Sequence, residues 1–291
     1  MMLSSSIRLL RPYQWVKNLV VFGGLIFAKE FTNPDRIKEA LLAFVTFCLL
    51  SSAIYVINDI IDRDSDRLHP IKRQRPIASG AISVGQAWGI AVVLLIISAA
   101  LTSLLPSLFI YTAIAFVLFN LLYSYVLKNI VIIDVMSIAV SFVLRAAAGS
   151  FAIDVPNSAW LIACTFLLAL FIGFGKRRHE IVTLKEGATE HRETLKRYSV
   201  YFLDQLIGVV TASTVVAYTF YTVSPEIQER LNVHHLELTI PFVLYGIFRY
   251  LYLIHQEEKG GAPTRLLLSD GPLLANIALW FLAVMAIFLL S

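Results

Sequence analysis

Between residues 58 and 66 the chain reads Asn58-Asp59-Ile60-Ile61-Asp62-Arg63-Asp64-Ser65-Asp66, directly after an apolar run. At about 100° per residue on an α-helix, Asn58, Asp62, Asp66 and Asp59 share one stripe about 100° wide, and Asp64 points away. Three carboxylates and an amide on one face repel one another unless something positive sits among them. Oxygen donors of this kind suit Mg²⁺, which takes one or two carboxylates and completes its shell with water and substrate phosphate. Asn58, Asp62 and Asp66 are therefore the expected metal ligands, with Asp59 beside them. An acidic, solvated helix end is the competing explanation, but the stripe begins where a bundle helix should still be apolar.

The residues that follow, Arg67-Leu68-His69-Pro70-Ile71-Lys72-Arg73-Gln74-Arg75-Pro76-Ile77-Ala78-Ser79-Gly80, are basic and end in a turn punctuated by Pro and Gly. Acids followed by cations can hold a metal-bound diphosphate from both sides. His69 is expected to be a loop hydrogen-bonder. A second polar stripe, Asp134, Ser137, Ser141 and Arg145, falls within about 80° on one helix and is expected to line a cavity, with Arg145 as a candidate ion-pair member. Asp204 and Gln205 open a later apolar run, where sugar-phosphate contact and helix capping compete.

These groups need elements to carry them. The chain of 291 residues is 58% hydrophobic and 15% charged, with a mean hydropathy of +0.74. Those values indicate an all-α polytopic membrane bundle and exclude disorder, a disulfide scaffold and a cytosolic enzyme. About nine spans are expected, at 15–30, 39–61, 86–104, 107–127, 130–152, 158–175, 200–222, 238–256 and 272–290, the first of them short enough that eight is the other count. With the N-terminus cytoplasmic, 18 of the 24 Lys and Arg residues fall on the inner side, as the positive-inside rule requires. The net charge of +4 then reflects topology, with no nucleic-acid partner. Cys48 and Cys164 lie in apolar runs as small hydrophobes. No repeat divides the sequence, so residues 1–291 are expected to form one domain, with cytoplasmic loops at about 63–84 and 176–198. Nothing in the sequence sets an oligomeric state.

The pattern NDxxDxxxD at Asn58, Asp59, Asp62 and Asp66, followed by RP and a small-residue turn, resembles the first aspartate-rich motif of the UbiA superfamily of intramembrane prenyltransferases. Tyr123-Ser124 with Leu127-Lys128 is similar to that family's YSxxLK stretch. Where enzymes that prenylate aromatic acceptors carry a second aspartate-rich motif, this chain instead reads Gly175-Lys176-Arg177-Arg178-His179-Glu180. On a helix Lys176 and Glu180 lie about 40° apart with Arg177 adjacent, and Arg178 faces elsewhere. Positive-inside anchoring is the bland explanation for such cations.

Four further stretches resemble the decaprenyl-phosphate phosphoribosyltransferase branch. They are RPxQWxKN from Arg11 to Asn18, DRxHPxKRxRPIASG from Asp66 to Gly80, the GKRRxE segment, and Tyr198 with Phe202-Leu203-Asp204-Gln205. The resemblance implies Mg²⁺-dependent transfer of a 5-phosphoribosyl group from phosphoribosyl diphosphate to a polyprenyl phosphate at the cytoplasmic face of the cell membrane. The product would lead to lipid-linked arabinose for cell-wall polysaccharide. It implies Asn58, Asp59, Asp62 and Asp66 as catalytic residues, and Lys17, Lys72, Arg75, Tyr125, Lys128, Asp134, Lys176, Arg177, Glu180 and Asp204 as substrate-binding residues. Phe166, Phe171 and Phe174 could line a groove for the lipid tail, although helix packing is the commoner reason for such a spacing. The alternatives are prenyl transfer from a prenyl diphosphate to an aromatic acceptor and, from a different class, a lipid transporter.

Overall fold

The computed structural model describes residues 2–68, 72–184 and 193–291. Among these it contains helices and no strand. The α-helices are α1 (Met2–Leu10), α2 (Gly23–Phe27), α3 (Pro34–Ile61), α4 (Arg63–Leu68), α5 (Val84–Thr102), α6 (Ser107–Tyr125), α7 (Ile133–Ala152), α8 (Ala159–Leu184), α9 (Val200–Val223), α10 (Pro225–Leu231), α11 (Ile240–His255), α12 (Pro263–Ser269) and α13 (Gly271–Leu290). Eight helical stretches among the described residues are long and apolar enough to cross a membrane. The chain forms two compact units, residues 1–137 with 141–157 and residues 138–140 with 158–291.

In the first unit, the segment expected as span 15–30 is not a single α-helix. Arg11 adopts a left-handed conformation (φ 52°), Pro12 starts a 3₁₀-helix that runs to Phe22, and α2 completes the stretch. A 3₁₀-helix rises about 2.0 Å per residue, so these eleven residues reach about 22 Å. With α2 the stretch approaches the roughly 30 Å hydrocarbon thickness. Residues three apart eclipse one another on such a helix, which puts Trp15, Asn18 and Val21 in one row. Trp15 donates to Ser52 (3.0 Å), Asn18 accepts from Ser51 (3.2 Å), and Val21 is fully buried. Glycine permits this close approach: a Cβ on Gly149 of α7 would stand 1.9 Å from the Val21 carbonyl oxygen.

Helix α3 starts at an Asn33 cap, whose side chain accepts from the Asp35 amide, followed by Pro34, a combination that satisfies one orphan donor and fixes φ at the first turn. Its apolar face packs Phe47 against Phe109 (5.8 Å) and Phe116 (5.0 Å) within a core that includes Leu50, Ile54 and Ala148. Helix α5 begins with a Ser83–Gln86 capping box. In the second unit, α9 is capped by Ser199, which accepts from the Phe202 amide, and α13 by Asp270, which accepts from Leu273. Phe171 and Phe174 are buried, Phe171 against Tyr250 at 5.2 Å. They are therefore packing residues, not the walls of a lipid groove.

Candidate active site

The acidic stripe survives the end of α3. Asp62 caps the helix, and its amide still donates to Asn58 (2.9 Å), while the Asp66 amide donates to Asp62 (2.8 Å). The helical period thus passes from α3 into α4, so that one turn after another presents Asn58, Asp62 and Asp66. Asp59 and Asp66 are buried, Asp62 is half-buried and Asp64 is 82% exposed, where it pairs with Arg63 and Arg67.

Each inward carboxylate meets a cation from elsewhere in the chain. Arg75 bridges two of them, donating to Asp59 Oδ1 (3.0 Å) and Asp66 Oδ2 (2.6 Å). Arg11 donates to the same Asp59 Oδ1 (2.5 Å) and lies over the Tyr55 ring. Lys128 donates to Asp62 Oδ1 (2.7 Å), and Ser124 donates to Asn58 Oδ1. The turn that carries Arg75 is anchored by buried Pro76, Ile77, Ala78 and Ile82 and reverses at Gly80 (φ 79°), a conformation glycine adopts without Cβ strain. The positive countercharge that the stripe demanded is thus supplied by Arg11, Arg75 and Lys128.

A metal ion can be tested against this set. Among the described residues no three His, Cys, Asp or Glu side chains stand together as a ready-made metal centre. Mg²⁺ does not need one, since one or two carboxylates suffice when phosphate and water complete the shell. The buried Asp59 Oδ2 has no hydrogen-bond partner among the described residues, and an orphaned carboxylate oxygen of this kind calls for a ligand. The oxygen-only donor set around it fits a hard divalent cation.

The remaining expected residues fall in several places. Lys17 and Lys72 are half-buried, on the 3₁₀ segment and in the turn Lys72–Gln74. Tyr125 is 60% exposed at the end of α6, and Asp134 is fully buried in the first turn of α7. His69 lies outside the described residues, as does the 185–192 part of the second loop. Among the described residues Arg145 takes part in no ion pair: it donates to Asn18 Oδ1 (2.8 Å) and to the Ser141 carbonyl (2.9 Å), and packs over the Phe116 and Phe142 rings. The polar stripe on α7 gives this buried guanidinium neutral hydrogen-bond partners.

In the second unit, Arg177 is 1% exposed and donates to Glu180 (2.6 Å), and Lys176 lies 3.7 Å from the same carboxylate. Arg178 turns away, as its helical position requires, and donates through Nε to Asp204 Oδ1 (2.6 Å); His255 Nε2 lies 3.2 Å from that oxygen. Since Ser199 caps α9, Asp204 is left to hold these two side chains. Reasoning from the sequence missed Arg11, Arg178 and His255 as site partners. Arg11 lay in a quoted motif, but its pairing with Asp59 spans 48 residues, a separation no local pattern reports.

Buried acids interleaved with basic side chains on a bundle of membrane-crossing helices define a membrane-embedded transferase of the polyprenyl-handling type. Residues 19–266 match the model of the UbiA prenyltransferase family, and the chain belongs to that family. It is 32% identical to the decaprenyl-phosphate phosphoribosyltransferase of Corynebacterium glutamicum over 98% of this chain and 87% of that protein. It is 31% identical to the enzyme of the same name from Mycolicibacterium smegmatis over 77% of this chain and 71% of that protein. Among solved structures, a UbiA homologue from Archaeoglobus fulgidus bound to GPP and Mg²⁺ superimposes with a TM-score of 0.74 at 21% identity, covering 98% of this chain and 99% of that one. The chain is a multi-pass membrane enzyme with the fold of that neighbour.

Proposed function

We propose that this enzyme, with residues 1–291 acting as one domain, transfers a 5-phosphoribosyl group from phosphoribosyl diphosphate to a polyprenyl phosphate of the decaprenyl type. Diphosphate is released at the cytoplasmic face of the plasma membrane, and the product leads to lipid-linked arabinose for cell-wall polysaccharide. The observation that carries this reading is the interleaving of Asp59, Asp62 and Asp66 with Arg11, Arg75 and Lys128 around an unpartnered Asp59 oxygen. Such a set can receive a cation and a polyanion together, because every acid–base pair in it can exchange its partner for one of them. The names of relatives about 30% identical over most of the chain support the choice of donor and acceptor.

In the reaction the anomeric C–O bond breaks and its electron pair leaves with the diphosphate. An oxygen of the lipid phosphate forms the new C–O bond at the same carbon. That oxygen is already anionic near neutral pH, so no general base is required, and catalysis rests on positioning and charge stabilisation. Asp62 and Asp66, with Asn58 or Asp59, would hold Mg²⁺, which supplies Lewis-acid stabilisation of the leaving diphosphate. Arg75 and Lys128 would take the phosphate oxygens as their carboxylates let them go, with Lys72 and Lys17 adding positive charge. Tyr125 and Asp134 are assigned to substrate binding, as are Lys176, Arg177, Glu180 and Asp204, whose motif is basic where a second aspartate cluster would otherwise stand.

Membranes containing the protein, supplied with labelled phosphoribosyl diphosphate, polyprenyl phosphate and Mg²⁺, should form a labelled lipid-linked pentose phosphate. Absence of that product with Mg²⁺ present overturns the reading.

A further inference from the structure

Helices α9 and α11 border an open groove of about 550 Å³, within the roughly 300–1,000 Å³ of small-molecule sites. Ile207, Ala212 and Val216 form one wall, Phe248 and Leu251 the other, and Gly208 the gap between them. Both helices belong to membrane-crossing stretches, and Val216 and Phe248 are more than half exposed, so the groove borders the bilayer. A Cβ built on Gly208 meets nothing within 4 Å; the small residue there leaves space and serves no contact within the protein. At one end the character of the groove changes. Asp204 and His255 line it, and Arg178 reaches Asp204 through Nε alone. A guanidinium carries five N–H donors in a fixed fork that suits phosphate, and those on the two terminal nitrogens of Arg178 take no partner among the described residues.

An apolar trough whose polar end is lined by Asp204 and His255, with the unused donors of Arg178 brought next to it by the Arg178–Asp204 bond, suits an amphiphile with one long chain and an anionic head. We infer that this groove seats the isoprenoid chain of the polyprenyl phosphate acceptor, with its phosphate on Arg178 and His255. This rests on the function proposed above and adds the place of its acceptor. Asp204 is a positioning residue that holds both side chains on one oxygen. From Asp204 to Val216 the groove follows twelve residues of helix, about 18 Å, so it accepts a single extended chain along its length.

The test uses the full-length protein in membranes, a fixed concentration of phosphoribosyl diphosphate, and polyprenyl phosphates of increasing length. In the wild type, kcat/KM should rise with chain length. In Gly208→Leu the rise should flatten, with KM for the longest acceptor up at least fivefold and the melting temperature unchanged. Val216→Trp, filling the groove from its other wall position, should act in the same direction. Arg178→Gln should raise the acceptor KM about tenfold at every length and leave the KM for phosphoribosyl diphosphate where it was. Unaltered chain-length dependence in both groove variants overturns the inference and leaves the groove to bilayer phospholipid. A change of oligomeric state in Gly208→Leu at unchanged acceptor KM overturns it in favour of a second copy of the chain. A wild type that forms no lipid-linked product defeats the proposed function itself, a result distinct from either.

Discussion

The acidic stripe of the first unit and the Arg177–Glu180 pair of the second use the same residue types in opposite ways. In the first unit the acids come from one helical stripe, and their cations arrive from distant segments: Arg11 lies 48 residues and Lys128 lies 66 residues from its partner. In the second unit Arg177 and Glu180 pair three residues apart on α8, with Arg177 almost completely buried. A local pair inside one helix fixes the side chains it joins. Long-range pairs around a half-exposed Asp62 and an unpartnered Asp59 oxygen can open to admit ligands without unravelling a helix. On the function proposed above, the first set exchanges its partners for incoming ligands, whereas the Arg177–Glu180 pair presents its side chains from a fixed helix face.

The strongest way to break this contrast is at Asp62. Asp62→Ala should lower kcat/KM by at least roughly 10³-fold with little change in thermal stability, since its Lys128 partner is partly exposed. Retained activity in the membrane assay would remove the metal assignment. Arg75→Lys comes next. An ammonium is a point charge and cannot reproduce the fork that spans Asp59 and Asp66, so a loss of about 10²-fold is expected, read as a raised KM for phosphoribosyl diphosphate together with a lower kcat.

Glu180→Gln should behave differently, with a loss of about tenfold in kcat/KM accompanied by a clear fall in melting temperature, because it strips charge from a buried guanidinium. If Glu180→Gln left the melting temperature alone while Asp62→Ala lowered it, the contrast would be reversed.

The smallest effect is expected at Asp270. Its hydrogen bonds from Arg249, aided by the Leu273 amide, hold its carboxyl below the usual carboxylate range. A depressed acid contributes stability that is present above its unfolded pKa of about 3.9 and is lost as pH falls through the lower folded value. Asp270→Asn should therefore melt roughly 2–4 °C lower at neutral pH, a deficit that shrinks as the solution is acidified below the carboxylate range. A pH-independent deficit would assign the loss to packing.

Much of the first region was legible because it obeys one helical period. Asn58, Asp62 and Asp66 share a face and Asp64 leaves it, as spacing alone requires, and the turn after Arg75 announces itself through Pro76 and Gly80. Arg178 was legible only as a residue facing away from Lys176 and Glu180. Its meeting with Asp204 and His255 joins three separate helices, α8, α9 and α11, and no local rule anticipates that. The stretch expected as a first α-helical span also escaped: it is a 3₁₀-helix whose Val21 carbonyl lies against Gly149 of α7, a contact 128 residues away that no local pattern reports.

Arg145 shows the same limit from the other side. A deep cation suggested a carboxylate partner, and the fold supplied Asn18, Ser141 and two aromatic faces instead. The sequence by itself determined the membrane class, the succession of helices and the acidic face, since each depends on hydropathy or period within one segment. Only the tertiary structure decided which cation meets which acid, which oxygen of Asp59 stays unpartnered, and which side chains meet Asp204 at the end of an apolar groove. Those outcomes depend on contacts between segments far apart in the chain, set by how closely small residues let the helices pack.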